Sequence, residues 1–405
     1  MFQLLFATPI LSQQIYAQWA ARYDGPGSDT DYALAIVVDG DGNSYVTGKS
    51  QDDYLTIKYD HFGNELWVSR YDGPASGVDE ALDITVDASG NVYVAGYTEQ
   101  SGEWLDYLTL AYDAGGALLW SATYAGTDHG LDLPSAVRVD GGGNVYVTGF
   151  ATSTSGGMDI TTIKYLPSGS EDWVAVYDGG YGNDSPAGLA VDDGGNVYVG
   201  GYITTSSGDF DWILIKYDSA GTEIWARSYD GAGHDDDFIA DIELDHDGNV
   251  FVTGSSHEVV SYYDCTTAKY DPVGTRQWLL SYDGPSGMDD VTHDLTLDAA
   301  GNVYITGYAV RVDRHRNVYV CGGSIGAGTN SDVTLIKYSP VGGEVWVSRY
   351  DGPVHDDDTG YALAFDQAEN IFVTGPSTGH GSDNDYVTIG YRVGPPRAKT
   401  MGLLP

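Results

Sequence analysis

The chain has 405 residues, with 18 Lys and Arg against 59 Asp and Glu, a formal net charge of −41 and a pI near 4.1. Such a charge excludes binding to a nucleic-acid backbone, because like charges repel and no counterions would be released, and it disfavours an anionic membrane surface. The 55 Gly and 32 Tyr suit short strands and tight turns, and no stretch has the periodicity of an amphipathic helix.

The first residues carry an apolar run, Phe2 to Leu11. It reads as the core of a secretory signal ending near Ala17, without the usual basic start, or as a loose leader; export is the expectation. The propeller domain is expected over 18–394, with a short tail at 395–405. No later segment is long and apolar enough to span a membrane.

From there the chain repeats. The phrase Gly-Asn-Val-Tyr-Val-Thr-Gly at Gly143 to Gly149 recurs, its Asn standing at Asn43, Asn91, Asn144, Asn196, Asn249, Asn302 and Asn370, with spacings of 48, 53, 52, 53, 53 and 68. A period near 50 with several β-rich runs predicts propeller blades of four strands each. In the first period the runs are Ala33 to Val38, Ser44 to Thr47, Tyr54 to Tyr59 and Glu65 to Tyr71. Gly- and Asp-rich turns join the first pair and the last pair.

Two registers are periodic. Trp19, Trp67, Trp120, Trp173, Trp225, Trp278 and Trp346 each stand four residues before a Tyr in the fourth strand. A Trp repeated at one position reads as packing between sheets, not as a ligand cage. Asp31, Asp79, Asp132, Asp184, Asp237, Asp290 and Asp358 each stand twelve before a repeat Asn, in the loop that crosses to the next blade. There a carboxylate accepts backbone N–H groups and locks the loop. Lys58, Lys164, Lys216, Lys269 and Lys337 recur in the third strand, which predicts pairing with acids or aromatic faces.

The chain starts on a fourth strand and ends on a third, so the N-terminal strand is expected to complete the C-terminal blade and close the ring. The long last spacing holds a surplus hairpin, Val310 to Gly322. The acidic register counts seven crossing loops, and Ile305 stands where an eighth Asp would. The expected fold is therefore all-β: a seven-bladed propeller with one inserted half-blade hairpin, or alternatively eight blades with one truncated.

The phrases Val-Asp-x-x-Gly-Asn-Val-Tyr-Val-Thr-Gly, Lys-Tyr-Asp-x-x-Gly and Trp with Tyr-Asp-Gly resemble the bacterial beta-propeller repeat known as SBBP and, more distantly, NHL repeats. The resemblance covers about residues 18 to 392. It implies an exported or surface protein and brings no catalytic motif.

Function is expected on the face that carries the crossing loops and the variable loops between second and third strands. Trp104, Phe210 and Tyr262 are the candidate ligand-face aromatics. Asp235, Asp237, Asp356 and Asp358, in two His-Asp-Asp-Asp runs, are candidate calcium ligands. The Asp-x-Asp-Gly-Asn turns at Asp39 and Asp245 lack the late bidentate Glu of a calcium loop, Ser50 standing eleven after Asp39. His129, His234 and His355 share a register in alternate crossing loops, so they do not converge on one metal. Cys265 and Cys321 fall in different strand types of different blades, and a disulfide would need their Cα atoms within about 7 Å. The expectation is a secreted or cell-surface, monomeric binding or adhesion propeller for a glycan or protein, without catalysis. A hydrolase or lyase site assembled at the central channel, or an architectural envelope role, are the alternatives. A cluster of His, Arg, Tyr and carboxylates at the channel would favour chemistry.

Overall fold

The computed structural model describes residues 15–26, 30–100, 104–128, 130–154, 157–257, 263–282, 290–306, 309–325, 331–353, 355–378 and 384–393. All regular structure among them is β. No helix there is long and apolar enough to cross a membrane. The leader up to residue 14, the tail, His129 and Tyr262 lie outside the described residues.

Local chemistry makes each first hairpin. Asp39 Oδ1 accepts the amides of Asp41 and Asn43, its Oδ2 accepts Asn43 Nδ2 and the Tyr45 hydroxyl, and Gly42 turns the chain at φ +81°. The same Asp–Asn pairing closes turns at Asp87, Asp140, Asp192, Asp245, Asp298, Asp313 and Asp366. This first hairpin and a second one, joined antiparallel, make a blade.

The protein is a seven-bladed β-propeller of four-stranded sheets. Blades I to V span 31–71, 79–124, 133–177, 185–229 and 237–282, and blade VI spans 310–350. Blade VII joins strands Ala362–Phe365, Ile371–Thr378 and Asn384–Val393 to the N-terminal strand Ile15–Tyr23. That strand pairs antiparallel with the last, from Ile15↔Val393 to Tyr23↔Tyr386. It begins at Ile15, so a boundary at residue 17 cuts into it.

A two-stranded sheet, Asp294–Leu297 with Val303–Thr306, stands between blades V and VI. The sequence placed the surplus hairpin at Val310 to Gly322. Instead that hairpin starts blade VI, because its second strand, Val318–Ile325, pairs with the third, Ser331–Tyr338, from Val318↔Tyr338 to Ile325↔Ser331. The half-sheet is the segment before it.

The second and third strands are buried almost throughout, and the core lies between consecutive blades. Tyr45 and Tyr54 of blade I, for example, pack with Ala81, Ile84, Val94 and Leu110 of blade II. Each first strand lines the channel. In blades I to V it carries a register shift, as between Ala81 and Asp83, that re-aims the residue after it. Pro134 and Pro186 sit at two of these shifts, where a missing N–H is tolerated. Cys265 and Cys321 are buried and free.

Removal of residues 18–25 takes Trp19 and most of the N-terminal strand from blade VII. The melting temperature, followed by circular dichroism, is expected to fall by about 10 °C or more; an unchanged melt contradicts the closure. In the half-sheet, burial would raise the Asp298 carboxyl, but hydrogen bonds from Asn302, the Ala300 amide and Tyr304 outweigh it and hold it at about 2. A carboxyl so lowered stabilises the fold above its unfolded value and loses that contribution as pH falls through 2. Asp298→Ala is therefore expected to cost about 1–2 kcal/mol at pH 7, a gap that denaturant titrations should find closing in strong acid.

Candidate functional site

Two regions collect polar chemistry, the crossing-loop face and the channel. At the crossing-loop face, the register Asp residues turn inward. Asp31, Asp79, Asp184, Asp237 and Asp358 are buried, and each accepts the amide of the Gly in, or near, the preceding Tyr-Asp-Gly at 2.5–2.6 Å. The second oxygen of Asp184 takes the Thr204 amide, that of Asp237 the His257 amide. The glycine is required by proximity: a Cβ on Gly73 would lie 2.1 Å from Thr98 Oγ1 and 2.5 Å from Asp79 Oδ1.

Around Asp31, Asp79 and Asp184 stand two more acids each. Carboxylate oxygens converge in Asp24, Asp31 and Asp385, in Asp53, Asp72 and Asp79, and in Asp159, Asp178 and Asp184, all within 4.8 Å of one another. A fourth-strand Arg offsets this charge in some blades: Arg22 pairs with Asp385 at 2.8 Å and Arg70 with Asp53 at 2.9 Å. Blades III and IV carry Val176 and Ser228 at that position. There burial, and then repulsion from Asp159 and Asp178, push Asp184 up to about 6. Burial, then Asp230, Asp237 and Asp209, do the same to Asp211. An all-oxygen donor set of this kind suits a hard cation such as calcium.

Of the four sequence-proposed metal ligands, Asp237 and Asp358 are the buried loop locks. Asp235 is exposed and lies with Asp209 and Asp236. Asp356 is exposed in the loop before Asp358. His234 and His355 each bond the Asp four residues earlier, Asp230 at 2.7 Å and Asp351 at 2.6 Å.

Trp104 is 53 % exposed. Phe210 is half-buried in a patch of rings at the seam of blades IV and V. Its centroid lies 4.7 Å from Tyr202 and 5.5 Å from Phe238, which in turn is 6.0 Å from Tyr263, with His257 beside Tyr263 at 5.4 Å. Asp209, Asp235 and Asp236 edge this patch, and Asp236 accepts the Phe210 amide at 3.1 Å.

The recurrent Lys are structural. Lys58, Lys216, Lys269 and Lys337 lie 4.6–4.8 Å above a second-strand ring of their own blade. Lys58 and Trp67 both donate to the Ala114 carbonyl of the next blade, and Lys164 and Trp173 both donate to Ser219.

Sequence reasoning placed its alternative site at the central channel but named none of its residues; the channel is a cavity of about 710 Å³ walled by the first strands of all seven blades and of the half-sheet. Eight residues before each repeat Asn the wall is small, at Ala35, Ala136, Gly188, Ala309 and Ala362, except at Asp83, Asp241 and Asp294. Six before, Arg138, Glu243 and Arg311 interrupt Val37, Thr85, Ala190, Thr296 and Ala364. Those breaks in otherwise small positions were the available signal.

Each acid laces one wall strand to the next. Asp83 accepts the Val137 amide and Arg138 Nη1. Asp241 accepts the Leu295 amide. Asp294 accepts the Val310 amide and Arg311 Nη1. Burial, followed by Asp294, to which it is hydrogen-bonded, pushes the Asp241 carboxyl well up. Burial brings Glu243 to about 7, against the pull of Arg311 and Arg138. His293 and Tyr361 also face the cavity.

Among known proteins, residues 18–54 match the family model described as beta-propeller repeat, SBBP. No curated protein matches the chain. Solved structures resemble it in fold. An ulvan lyase, a polysaccharide lyase, is 11 % identical with TM-score 0.50 over 89 % of this chain and 93 % of that one. A Lactobacillus plantarum protein is 16 % identical with TM-score 0.46, over 78 % and 83 %. Drosophila Plexin A, in its complex with Semaphorin 1b, is 10 % identical with TM-score 0.46, over 93 % and 88 %.

Asp211→Asn removes a carboxylate that the fold disfavours. The cost of the charge is fully present above about pH 6 and absent below the ordinary carboxylate range, because the folded value is the higher one. The variant is expected to be more stable than the parent by about 1–2 kcal/mol at pH 7, after allowance for solvent screening, with no difference at pH 3. Equal denaturant midpoints at pH 7 contradict this electrostatic account.

Proposed function

We infer, for a chain that carries the SBBP beta-propeller repeat, a binding role without catalysis: it takes a glycan on its crossing-loop face, outside the cell or at its surface, as a monomer; the gathering of His293, Tyr361, Arg138, Arg311 and the wall carboxylates at the channel favours the second reading, a hydrolase or lyase site there. One observation carries the reading, the patch of Tyr202, Phe210, Phe238 and Tyr263 edged by Asp209, Asp235 and Asp236. Ring faces take the C–H faces of a sugar, and carboxylates accept its hydroxyl protons. Apolar planes with a few fixed polar groups are what a small-ligand site needs. The patch sits on the seam of two blades, where backbone hydrogen bonding holds it rigid while the neighbouring loops are free to vary in length.

Calcium belongs to the same proposal, at Asp159, Asp178 and Asp184, where oxygen donors converge and no Arg offsets them. Calcium titrated into chelator-treated protein is expected to release or take up heat and to raise the melting temperature. No heat and no shift remove the cation from the account.

The test of the glycan reading is an array of bacterial, algal and plant polysaccharides probed with the full chain. Selective binding is expected, weakened about tenfold or more in Phe210→Ala and Tyr263→Ala, with unchanged circular dichroism. Uniform background across the array contradicts the reading. New reducing ends or unsaturated products from a bound glycan would overturn its non-catalytic part.

A further inference from the structure

The channel holds a second constellation that the crossing-loop reading does not use. Eight first strands surround the cavity in the order blade I, II, III, IV, V, half-sheet, VI, VII, each touching the next and the last touching the first. Arg138 is on the third and Arg311 on the seventh, so the half-sheet sets the two guanidinium groups on opposite walls. Both line the cavity, and both side chains are 41 % exposed.

The hydrogen bonds around them divide unevenly. The wall carboxylates are spent. Asp83 accepts the Ile84 amide on Oδ1 and the Val137 amide and Arg138 on Oδ2. Asp294 accepts the Leu295 amide on Oδ1 and the Val310 amide and Arg311 on Oδ2. Asp241 accepts the Ile242 and Leu295 amides. The arginines are not spent. Arg138 bonds protein through Nη1 alone, to Asp83 and the Val137 carbonyl, and Arg311 through Nη1 alone, to Asp294 and the Val310 carbonyl. Nε and Nη2 of each group carry no bond among the described residues. Acceptors are committed and donors remain, so the ligand this wall lacks is an acceptor, and a guanidinium edge matches a carboxylate in plane and spacing.

We propose that the channel binds a small organic dicarboxylate, one carboxylate on Arg138 and the other on Arg311. Glu243 occupies the register of both arginines, six residues before Asn249 as they stand six before Asn144 and Asn317. The charged groups that act on it are Arg311 of blade VI, Arg138 of blade III, Asp294 of the half-sheet and Asp241 on its own strand, and its Oε2 accepts the Leu297 amide. Ionised, Glu243 competes with the ligand for the arginines; protonated, it becomes a donor to it. Its carboxyl, brought to about 7 by burial, couples binding to proton uptake, so affinity rises as pH falls from 8 to 6.

Isothermal titration calorimetry of the full chain with the series malonate, succinate, glutarate and adipate tests this. One member, whose length reports the gap between the arginines, is expected to bind with unit stoichiometry, about tenfold more tightly at pH 6 than at pH 8. Arg138→Gln and Arg311→Gln should each weaken it about tenfold or more, and Glu243→Gln should bind with the pH dependence gone. Should Arg311→Gln fail to fold, since it strands Asp294, Arg138→Gln on the far wall and Glu243→Gln carry the test. Phe210→Ala should bind the dicarboxylate as the parent does, which separates this site from the glycan patch. No heat from any member at pH 6, or full affinity in Arg138→Gln, overturns the proposal.

Discussion

An indole laid on a glycine holds consecutive blades together. Trp19, Trp67, Trp120, Trp173 and Trp225 each reach across the seam to the turn between third and fourth strands of the next blade. There each indole N–H donates to a carbonyl, at His61, Ala114, Pro167, Ser219 and Pro272 respectively, at 3.2–3.4 Å. The ring then covers a glycine two residues on. A Cβ at Gly63, Gly116, Gly169, Gly221 or Gly274 would lie only 2.4–2.8 Å from ring atoms, and all five glycines have φ of +80° to +86°. One residue without a side chain therefore meets two demands, the left-handed turn and the close approach. Because Trp19 comes from the N-terminal strand, the same contact joins blade VII to blade I.

The contact is interrupted where the architecture withholds its other half. Beyond Trp278 stands the half-sheet, which has no third and fourth strands and so no turn to receive the indole. Beyond Trp346 stands blade VII, whose third and fourth strands are the two ends of the chain, with no turn between them; Trp346 Nε1 is buried without a hydrogen bond. What the half-sheet loses at the rim it supplies at the centre. It adds an eighth strand to the channel wall, brings Asp294 to Asp241, and places Arg311 opposite Arg138.

The acidity of the chain divides into two populations under opposite physics. In the hairpin turns, burial of Asp39, Asp140, Asp192 and Asp245 is outweighed by hydrogen bonds from Asn and backbone amides, and the carboxyls are lowered. In the crossing loops, burial and neighbouring acids prevail over two or three hydrogen bonds, and Asp31, Asp79, Asp237 and Asp358 are raised. The first group specifies each hairpin; the second locks each crossing at an electrostatic cost, and leaves carboxylates gathered on one face.

The blade pattern was legible because its determinants are local and repeated: the Asp and Asn of each turn, the Trp four before Tyr, the Asp twelve before Asn. Which hairpin stood alone was not, since Asp298 to Tyr304 and Asp313 to Tyr319 carry the same turn chemistry, and only pairing with the third strand distinguishes them. The channel was obscured for a related reason. Asp83, Arg138, Asp241, Glu243, Asp294 and Arg311 are spread over more than two hundred positions and meet only once a ring is formed, while Phe210 needed Tyr202, Phe238 and Tyr263 from other strands to become a surface.

The most direct measurement is a double-mutant cycle between Trp120 and Gly169, read by denaturant unfolding, with Gly208→Ala as the reference. Gly208 has the same left-handed backbone, φ +98°, with open space where a Cβ would be. Gly169→Ala should cost about 2 kcal/mol or more beyond Gly208→Ala, and that excess should vanish when Trp120 is already Ala. Equal costs at the two glycines, or an excess that persists without the indole, would contradict the claim that this contact holds the blades together.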